Sequence, residues 1–279
     1  MNLQQLFYPI IGMSYKNDPN YFEFPPHEDL KPYIRCFWGS LYQDDESKTR
    51  IMNDSIVIPD ACVDIIFNFR KKENRVECNF YGIDDEAMLQ TEQYEAPDLT
   101  FGIRFYGWAV APFMGESLEE VISGPNNVDR YFPGIRTMVE SGIYEGMSIG
   151  DLIRQVEMYL RTHYNEKLDK IHIKNAIADM ILSYGSENVE QIAVHNNVSK
   201  RTLERGFKEY VGISPKKMAG IIRYQYVWQD LLYFRQCKVD DMLDKYKYVD
   251  QAHLLNDFKN HHGMNWKDAL RFYQKSMKE

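Results

Sequence analysis

The chain has little cysteine, no long apolar run and no basic leader segment. Its 279 residues include four cysteines (Cys36, Cys62, Cys78 and Cys237), none in a CxxC or other zinc-binding spacing, so we expect reduced thiols in a cytoplasmic protein. No apolar stretch reaches the length of a membrane span, and the N-terminal residues lack the pattern of a signal peptide. These absences argue against a membrane protein, a disulfide-stapled secreted domain and a zinc finger.

The sequence also lacks the common catalytic motifs. GxSxG, P-loop, GxGxxG and HExxH patterns are absent and the seven histidines are scattered, so we predict no enzyme activity, no metal site and no cofactor. The adjacent pair His261-His262 is more typical of a surface than of a metal site. Asp60 and Asp64 are expected to pair with Arg104, in an ion pair that is structural and not catalytic.

Charge is divided unevenly along the chain. Residues 165–279 contain 19 basic and 15 acidic residues, whereas residues 1–164 contain 14 basic and 26 acidic residues. The C-terminal part is therefore the basic one, as a nucleic-acid surface requires, although its excess of positive charge is modest.

The stretch from Val189 to Gly212 predicts two short helices joined by a tight turn. Asn196-Asn197 breaks the first helix, because asparagine tolerates the left-handed backbone of a sharp turn, and Ser199 is a candidate N-cap for the second. The second helix has a basic face opposite an apolar stripe of Leu203, Phe207 and Val211. A helix-turn-helix that places its second helix in a DNA major groove fits this pattern. An ordinary helical hairpin with a solvated charged face fits it equally well.

Three motifs in the same region resemble the AraC/XylS family of transcription regulators. They are SKRTLERGFKEYVGISPKK (Ser199–Lys217), RYQ (Arg223–Gln225) and DQAHLLNDFKNHHGM (Asp250–Met264). The resemblance is specific because two linked half-motifs occur at the right separation. It implies an all-α DNA-binding domain of seven helices, with two helix-turn-helix units joined by a long helix over 218–234 and facing successive turns of the major groove.

The family motif implies which residues of the first unit face DNA. Arginine is the natural reader of guanine, glutamate can accept a hydrogen bond from cytosine, and lysines beside them suit phosphates. An ion pair with Lys208, one turn away, explains Glu204 equally well. The implied DNA-binding residues are Ser199, Lys200, Arg201, Glu204, Arg205 and Lys208.

The second unit departs from the family pattern. Leu243 stands where a small alanine usually allows close helix packing, and Lys247 stands where glycine normally takes a positive φ, at a cost of about 1 kcal/mol. Three lysines and five aspartates lie between residues 239 and 263. We expect weak or indirect base contact, or a unit that only maintains the fold. The groove-facing candidates are Gln251, His253 and Asn256.

The first 115 residues predict short strands without intervening helices, typical of a small antiparallel barrel or sandwich. The segments IPDACVDIIF and FGIRFYGWA resemble the cupin-like N-terminal domain of one AraC subgroup, although Tyr106-Gly107-Trp108 stands where Pro-Gly is usual. Polar loops are expected at 44–50 and 70–74, and strands at 33–39, 56–69 (two segments), 76–81 and 99–105. A pocket for a small apolar or aromatic effector would be lined by Trp38, Phe67, Phe101, Phe105 and Trp108.

A helix predicted from Ser148 to Tyr164 joins the two parts. Its apolar stripe either forms a dimer contact, as the resemblance implies, or packs on its own barrel; the stripe contains Leu152, Ile153, Val156, Tyr159 and Leu160. We therefore predict an α+β protein of two domains, with an N-terminal antiparallel β-barrel or cupin-like domain and flanking helices (1–146), a linker helix (147–166) and a C-terminal all-α AraC-type domain (167–279).

The combined expectation is a sequence-specific transcription regulator that binds double-stranded DNA and no membrane. Its N-terminal domain would sense a small-molecule effector or mediate homodimerisation. The alternative is control by another protein with no small ligand, which a filled barrel would favour. A DNA-repair alkyl transferase is the least favoured class, because Cys36, Cys62 and Cys78 lie in apolar or acidic contexts and not in a basic site.

Overall fold

The computed structural model describes residues 3–10, 19–42, 55–90, 96–233 and 239–276. The predicted loop at 44–50 and Cys237 lie outside these residues. A short helix, α1 (Leu3–Leu6), precedes the β-rich part of the chain. The strands are β1 (Tyr21–Phe24), β2 (Ile34–Leu41), β3 (Ser55–Val57), β4 (Cys62–Arg70), β5 (Arg75–Tyr81), β6 (Met88–Gln90), β7 (Leu99–Tyr106) and β8 (Pro125–Asn127).

Six of these strands form one antiparallel sheet in the order β1-β2-β7-β4-β5-β8, and β3 pairs with β6 separately. The predicted antiparallel β domain is therefore confirmed, including the hairpin loop between β4 and β5. Within the described residues the edge strands β1 and β8 do not pair with each other. The sheet is open there, so the expected antiparallel β domain is observed without the closure of a barrel among the described strands.

One face of the sheet is apolar because alternate side chains of a strand point the same way. Phe101, Ile103 and Phe105 of β7 are completely buried on this face, as their alternation predicts. Phe67 of β4 lies beside Phe101 in the register. Three helices add buried residues to this core: α2 (Val128–Tyr131), α3 (Ile135–Tyr144) and α4 (Ile149–His163).

The apolar stripe of α4 packs inside the chain. Ser148 caps this helix by accepting a hydrogen bond from the backbone N–H of Asp151, as expected of the predicted cap. Leu152, Val156, Tyr159 and Leu160 are buried and Ile153 is half-buried in the core of the N-terminal part. Of the two roles open to this stripe, packing on its own domain is therefore the one observed, and the stripe is not available as a dimer contact.

Seven described helices follow, as the family resemblance implies. The helix between the two units begins before the predicted residue 218, because Ser214 accepts a hydrogen bond from the backbone N–H of Lys217 (3.2 Å) and Pro215 suits a first helical position. No helix within the described ranges is long and apolar enough to cross a membrane. The helices are α5 (Ile171–Leu182), α6 (Val189–His195), α7 (Lys200–Tyr210), α8 (Pro215–Tyr233), α9 (Val239–Tyr246), α10 (Gln251–His262) and α11 (Trp266–Ser276).

The N-terminal part contacts the middle of α8. Gln225 of α8 is completely buried, and its amide donates to the carbonyls of Pro59 (2.5 Å) and Ile10 (3.0 Å). Ile56 and Ile58 pack in the same apolar cluster as the second helix-turn-helix unit. The helix that joins the two units is thus held by the β-rich part of the chain.

Candidate nucleic-acid interface

Helices α6 and α7 form the first helix-turn-helix unit. Asn188 caps α6 by accepting a hydrogen bond from the backbone N–H of Gln191 (2.8 Å), and Ser199 caps α7 by accepting from the N–H of Thr202 (3.1 Å). Asn197 adopts a φ of 54° between the helices. The left-handed turn and the N-cap therefore lie where the sequence predicts them.

The buried side of α7 sets its distance from the rest of the domain. Leu203, Phe207 and Val211 are at most 1% exposed, as their spacing predicts. Gly206 lies between them against α5, where an added Cβ would be 2.6 Å from Cδ1 of Ile173. Sequence reasoning did not single out Gly206. A glycine inside a predicted helix is unfavourable unless close packing requires it, so Gly206 could have been recognised from the sequence.

The outer side of α7 is charged and exposed. Lys200 forms an ion pair with Glu190 of α6, whose hydrogen bond raises the pKa of the lysine, and Nε of Arg205 lies 3.8 Å from Oε1 of Glu209. Among the described residues, Glu204 forms no ion pair with Lys208, so the local explanation of Glu204 is not observed. The exposed residues are Lys200, Arg201, Glu204, Arg205 and Lys208.

The second unit repeats this geometry with less positive charge. Asp250 caps α10 by accepting from the N–H of His253 (2.7 Å). Lys247 has a φ of 55°, so the lysine does occupy the left-handed position that favours glycine. Gln251, His253 and Asn256 are exposed on α10, whose only lysine is Lys259. The second unit can therefore present polar groups to a groove but little charge to phosphates.

The end of α10 differs from the predicted surface pair of histidines. His262 is 4% exposed, and its Nδ1 lies 2.7 Å from the hydroxyl of Tyr224. Burial lowers the pKa of His262 to about 4. The described part of the chain contains no group of three or more His, Cys, Asp or Glu side chains placed to hold a metal ion. His262 is therefore a core histidine of the second unit.

The five aromatic residues predicted to line a pocket do not share one face. Trp38 lies on the opposite, polar face of the sheet, where its Nε1 donates to Oδ1 of Asp64 (2.8 Å). It follows Phe37, which lies on the apolar face, and neighbouring strand residues point to opposite sides. Three of the other four, Phe67, Phe101 and Phe105, are completely buried on the apolar face. Trp108 is also buried, but it lies beyond the end of β7, where its ring stacks on Tyr106 at 4.9 Å between centroids.

The predicted ion pair on the polar face is present. Arg104 binds Asp64 through two parallel hydrogen bonds of 2.9 Å, from Nε to Oδ1 and from Nη2 to Oδ2. Nη1 of Arg104 lies 3.5 Å from Asp60. All three side chains are about 13–14% exposed, so this cation is held by one carboxylate of its own sheet and one in the turn before β4.

Two stretches of the chain match known families. Residues 22–123 match a domain of unknown function (DUF6597), and residues 192–271 match a helix-turn-helix domain. No curated protein matches the chain. Similar solved structures include ToxT from Vibrio cholerae O395, at 13% identity and a TM-score of 0.33, with 91% of this chain and 96% of that chain covered. Unsaturated fatty acid-bound wild-type ToxT from strain SCE256 is another, at 10% identity and a TM-score of 0.34, with coverages of 90% and 93%.

The helix-turn-helix match spans both units and the long helix between them. It covers all three AraC/XylS motifs and includes the exposed basic face of α7. Domains of this type bind DNA in transcription regulators. The chain therefore carries an AraC-type, DNA-binding helix-turn-helix domain of a transcription regulator beside an N-terminal domain of the DUF6597 family.

Proposed function

We propose that the chain is a sequence-specific regulator that reads DNA mainly through its first helix-turn-helix unit. The observation that carries this proposal is the exposed side of α7, which presents four basic side chains where α10 presents one. Neutralisation of phosphates supplies most of the affinity of a DNA-binding protein, so the more basic helix dominates binding.

Roles for the side chains of α7 follow from their chemistry. Arg201 and Arg205 read guanine through two-pronged hydrogen bonds, and Glu204 accepts from cytosine N4. Lys200 and Lys208 bind phosphates on either side. Ser199, at the start of the helix, completes this proposed contact surface.

The second unit has a smaller proposed role. Gln251 and Asn256 are exposed and can bond adenine, and His253 is exposed beside them. Without a basic cluster they contact DNA weakly or through water. A second half-site, one helical turn from the first, would then add little to the affinity.

The N-terminal domain, in this proposal, controls how the two units are presented. Its contacts with Gln225 and with the apolar cluster of the second unit support such a role, because a change in the β-rich part acts directly on α8. The controlling signal is a small effector. Homodimerisation remains part of the proposal only through surfaces other than the buried stripe of α4.

Control by another protein is the second candidate. The apolar face of the sheet favours it, because Phe67, Phe101 and Phe105 are completely buried there. The opposite face of the sheet is polar and contains buried charge, to which a polar or charged effector can bind. We therefore favour the effector proposal over control by another protein.

We propose that the regulator works in the cytoplasm, where the DNA is.

Selection of bound sequences from a random duplex pool tests the proposal. The selected duplex is then titrated against salt with wild-type protein and the Arg201→Ala/Arg205→Ala variant. We expect a defined motif and a loss of roughly 1–3 kcal/mol for each guanine contact removed. The matched control is Arg75→Ala/Arg154→Ala, which removes two exposed arginines of the N-terminal part. Equal binding of all duplexes, or equal losses in both double variants, would contradict sequence-specific recognition through α7.

A further inference from the structure

The polar face of the N-terminal sheet contains a second buried arginine, Arg35. The register of β2 against β7 shifts between Ile34 and Cys36, so Arg35 is the extra residue of a β-bulge. A bulge redirects side chains that would otherwise alternate. Cys36 stands opposite Arg104, and Nη1 of Arg35 donates to Sγ of Cys36 (3.3 Å). The guanidinium group of Arg35 therefore lies on the polar face and not in the apolar core.

Arg35 is less well neutralised than its neighbour Arg104. Its side chain is 2% exposed, and its ion-pair partner among the described residues is Glu23, with Oε1 3.6 Å from Nη1. Nε of Arg35 is buried without a hydrogen-bond partner among the described residues. Arg104, by contrast, has a two-pronged pair with Asp64. A buried cation normally has such a partner, because leaving water is costly for a charged group.

A partly exposed aromatic side chain lies over this cation. The ring of Tyr8 lies over the guanidinium carbon of Arg35 at 4.4 Å from the ring centroid, and Tyr8 itself is 57% exposed. Rotation of the Tyr8 side chain would open the guanidinium group to a small molecule. Tyr106 is buried and stands opposite Cys62 on the same face, with its ring stacked on Trp108 at 4.9 Å between centroids.

The chemistry of these groups selects the kind of ligand. An arginine with a free Nε edge matches the two oxygens of a carboxylate, in a geometry that a compact ammonium group cannot reproduce. Aromatic rings beside it favour a ligand with an apolar body. Phosphate shares the charge but has no apolar part to place against the tyrosines.

We propose that Arg35 binds the carboxylate of a small organic acid on the polar face of the sheet, with the apolar body of the acid beside Tyr8 and Tyr106. This assignment rests on the proposed sensing role of the N-terminal domain and gives the chemical class of its effector. Glu23 competes with the ligand for Arg35, so a neutral residue at position 23 strengthens binding.

Calorimetry on the full chain without DNA tests the site. The probes are phenylacetate and octanoate, with neutral phenylacetamide and inorganic phosphate for comparison. We expect a carboxylate to bind, Arg35→Lys to weaken it by about tenfold or more, and Glu23→Gln to strengthen it several-fold. Arg154→Ala, which removes an exposed arginine elsewhere, should leave binding unchanged. Thermal unfolding of each variant shows that it is folded.

Four results would overturn the assignment. They are no binding of either carboxylate, equal binding of phenylacetamide, binding of phosphate alone, or unchanged binding in a folded Arg35→Lys variant. DNA affinity is measured separately, with and without the bound probe. Binding that depends on Arg35 but leaves DNA affinity unchanged would support the site and contradict the sensing role. Failure of DNA binding itself would contradict the proposed regulator while leaving the calorimetric result intact.

Discussion

The side-chain amide of Gln225 donates a hydrogen bond to the main-chain carbonyl of Pro59 at a distance of 2.5 Å. Pro59 lies between β3 and β4, whereas Gln225 lies in the helix between the two DNA-binding units. The same amide also bonds both main-chain polar groups of Ile10. One buried side chain thus connects the N-terminal segment, the β-rich domain and α8.

Replacement of Gln225 by alanine should destabilise the chain. It leaves buried main-chain groups of Ile10 and Pro59 without a partner, at a cost of about 1–3 kcal/mol. Urea unfolding followed by tryptophan fluorescence measures the change. Gln229→Ala is the matched control, because among the described residues the Gln229 amide makes an exposed hydrogen bond to the carbonyl of Tyr8. Equal effects of the two substitutions would show that the buried connection is unimportant.

Glycine at position 247 should stabilise the second unit. Lys247 holds a φ of 55°, a conformation that disfavours side chains with a Cβ, so Lys247→Gly gains up to about 1 kcal/mol. Asn197 occupies the corresponding turn of the first unit at a φ of 54°. Because asparagine tolerates this region, Asn197→Gly should gain less. Thermal unfolding compares the two variants, and a loss of stability in Lys247→Gly would contradict the strain argument.

Stability should fall in acid because of His262. Burial holds its folded pKa at about 4, whereas an unfolded histidine titrates near pH 6.5. Between these values the unfolded chain binds a proton that the folded chain does not. Folding is therefore fully supported above about pH 6.5 and weakens as the pH falls toward 4, by up to about 3 kcal/mol.

Urea titrations at pH 7.5 and pH 4.5 measure this loss. His262→Gln should reduce the difference between the two pH values, since glutamine cannot take up a proton. An undiminished difference in His262→Gln would assign the acid sensitivity to other groups.

Removal of Lys208 should lower the salt dependence of DNA binding. An exposed lysine that neutralises one phosphate contributes a slope of about 0.9 in the logarithm of affinity against the logarithm of salt concentration. Lys208→Ala should reduce the slope by about this amount on every duplex, without changing the preferred sequence. Lys31→Ala, on the N-terminal domain, is the control. A change of preferred sequence in Lys208→Ala would assign this lysine to base contact instead.

Local patterns in the sequence were sufficient to predict the individual strands, helix caps and turns. The alternation of β7, the cap at Ser199 and the turn at Asn197 each depend on a few neighbouring residues, and each lies where it was predicted. The face occupied by Trp38 was not predicted, because it requires the register of β2 against β7. Arg35 was missed for a related reason: the bulge that redirects it is a property of the strand pair and not of β2 alone.

The sequence by itself determined that the N-terminal part is an antiparallel β domain and that the C-terminal part is an all-α domain of a DNA-binding type. Those conclusions rest on periodicity, capping and motif spacing, which are local. Tertiary structure alone decided that the stripe of α4 is covered, that His262 is buried, and that Gln225 reaches Pro59. These facts depend on which distant surfaces meet, because burial and hydrogen bonding between remote residues are set by packing of the whole chain.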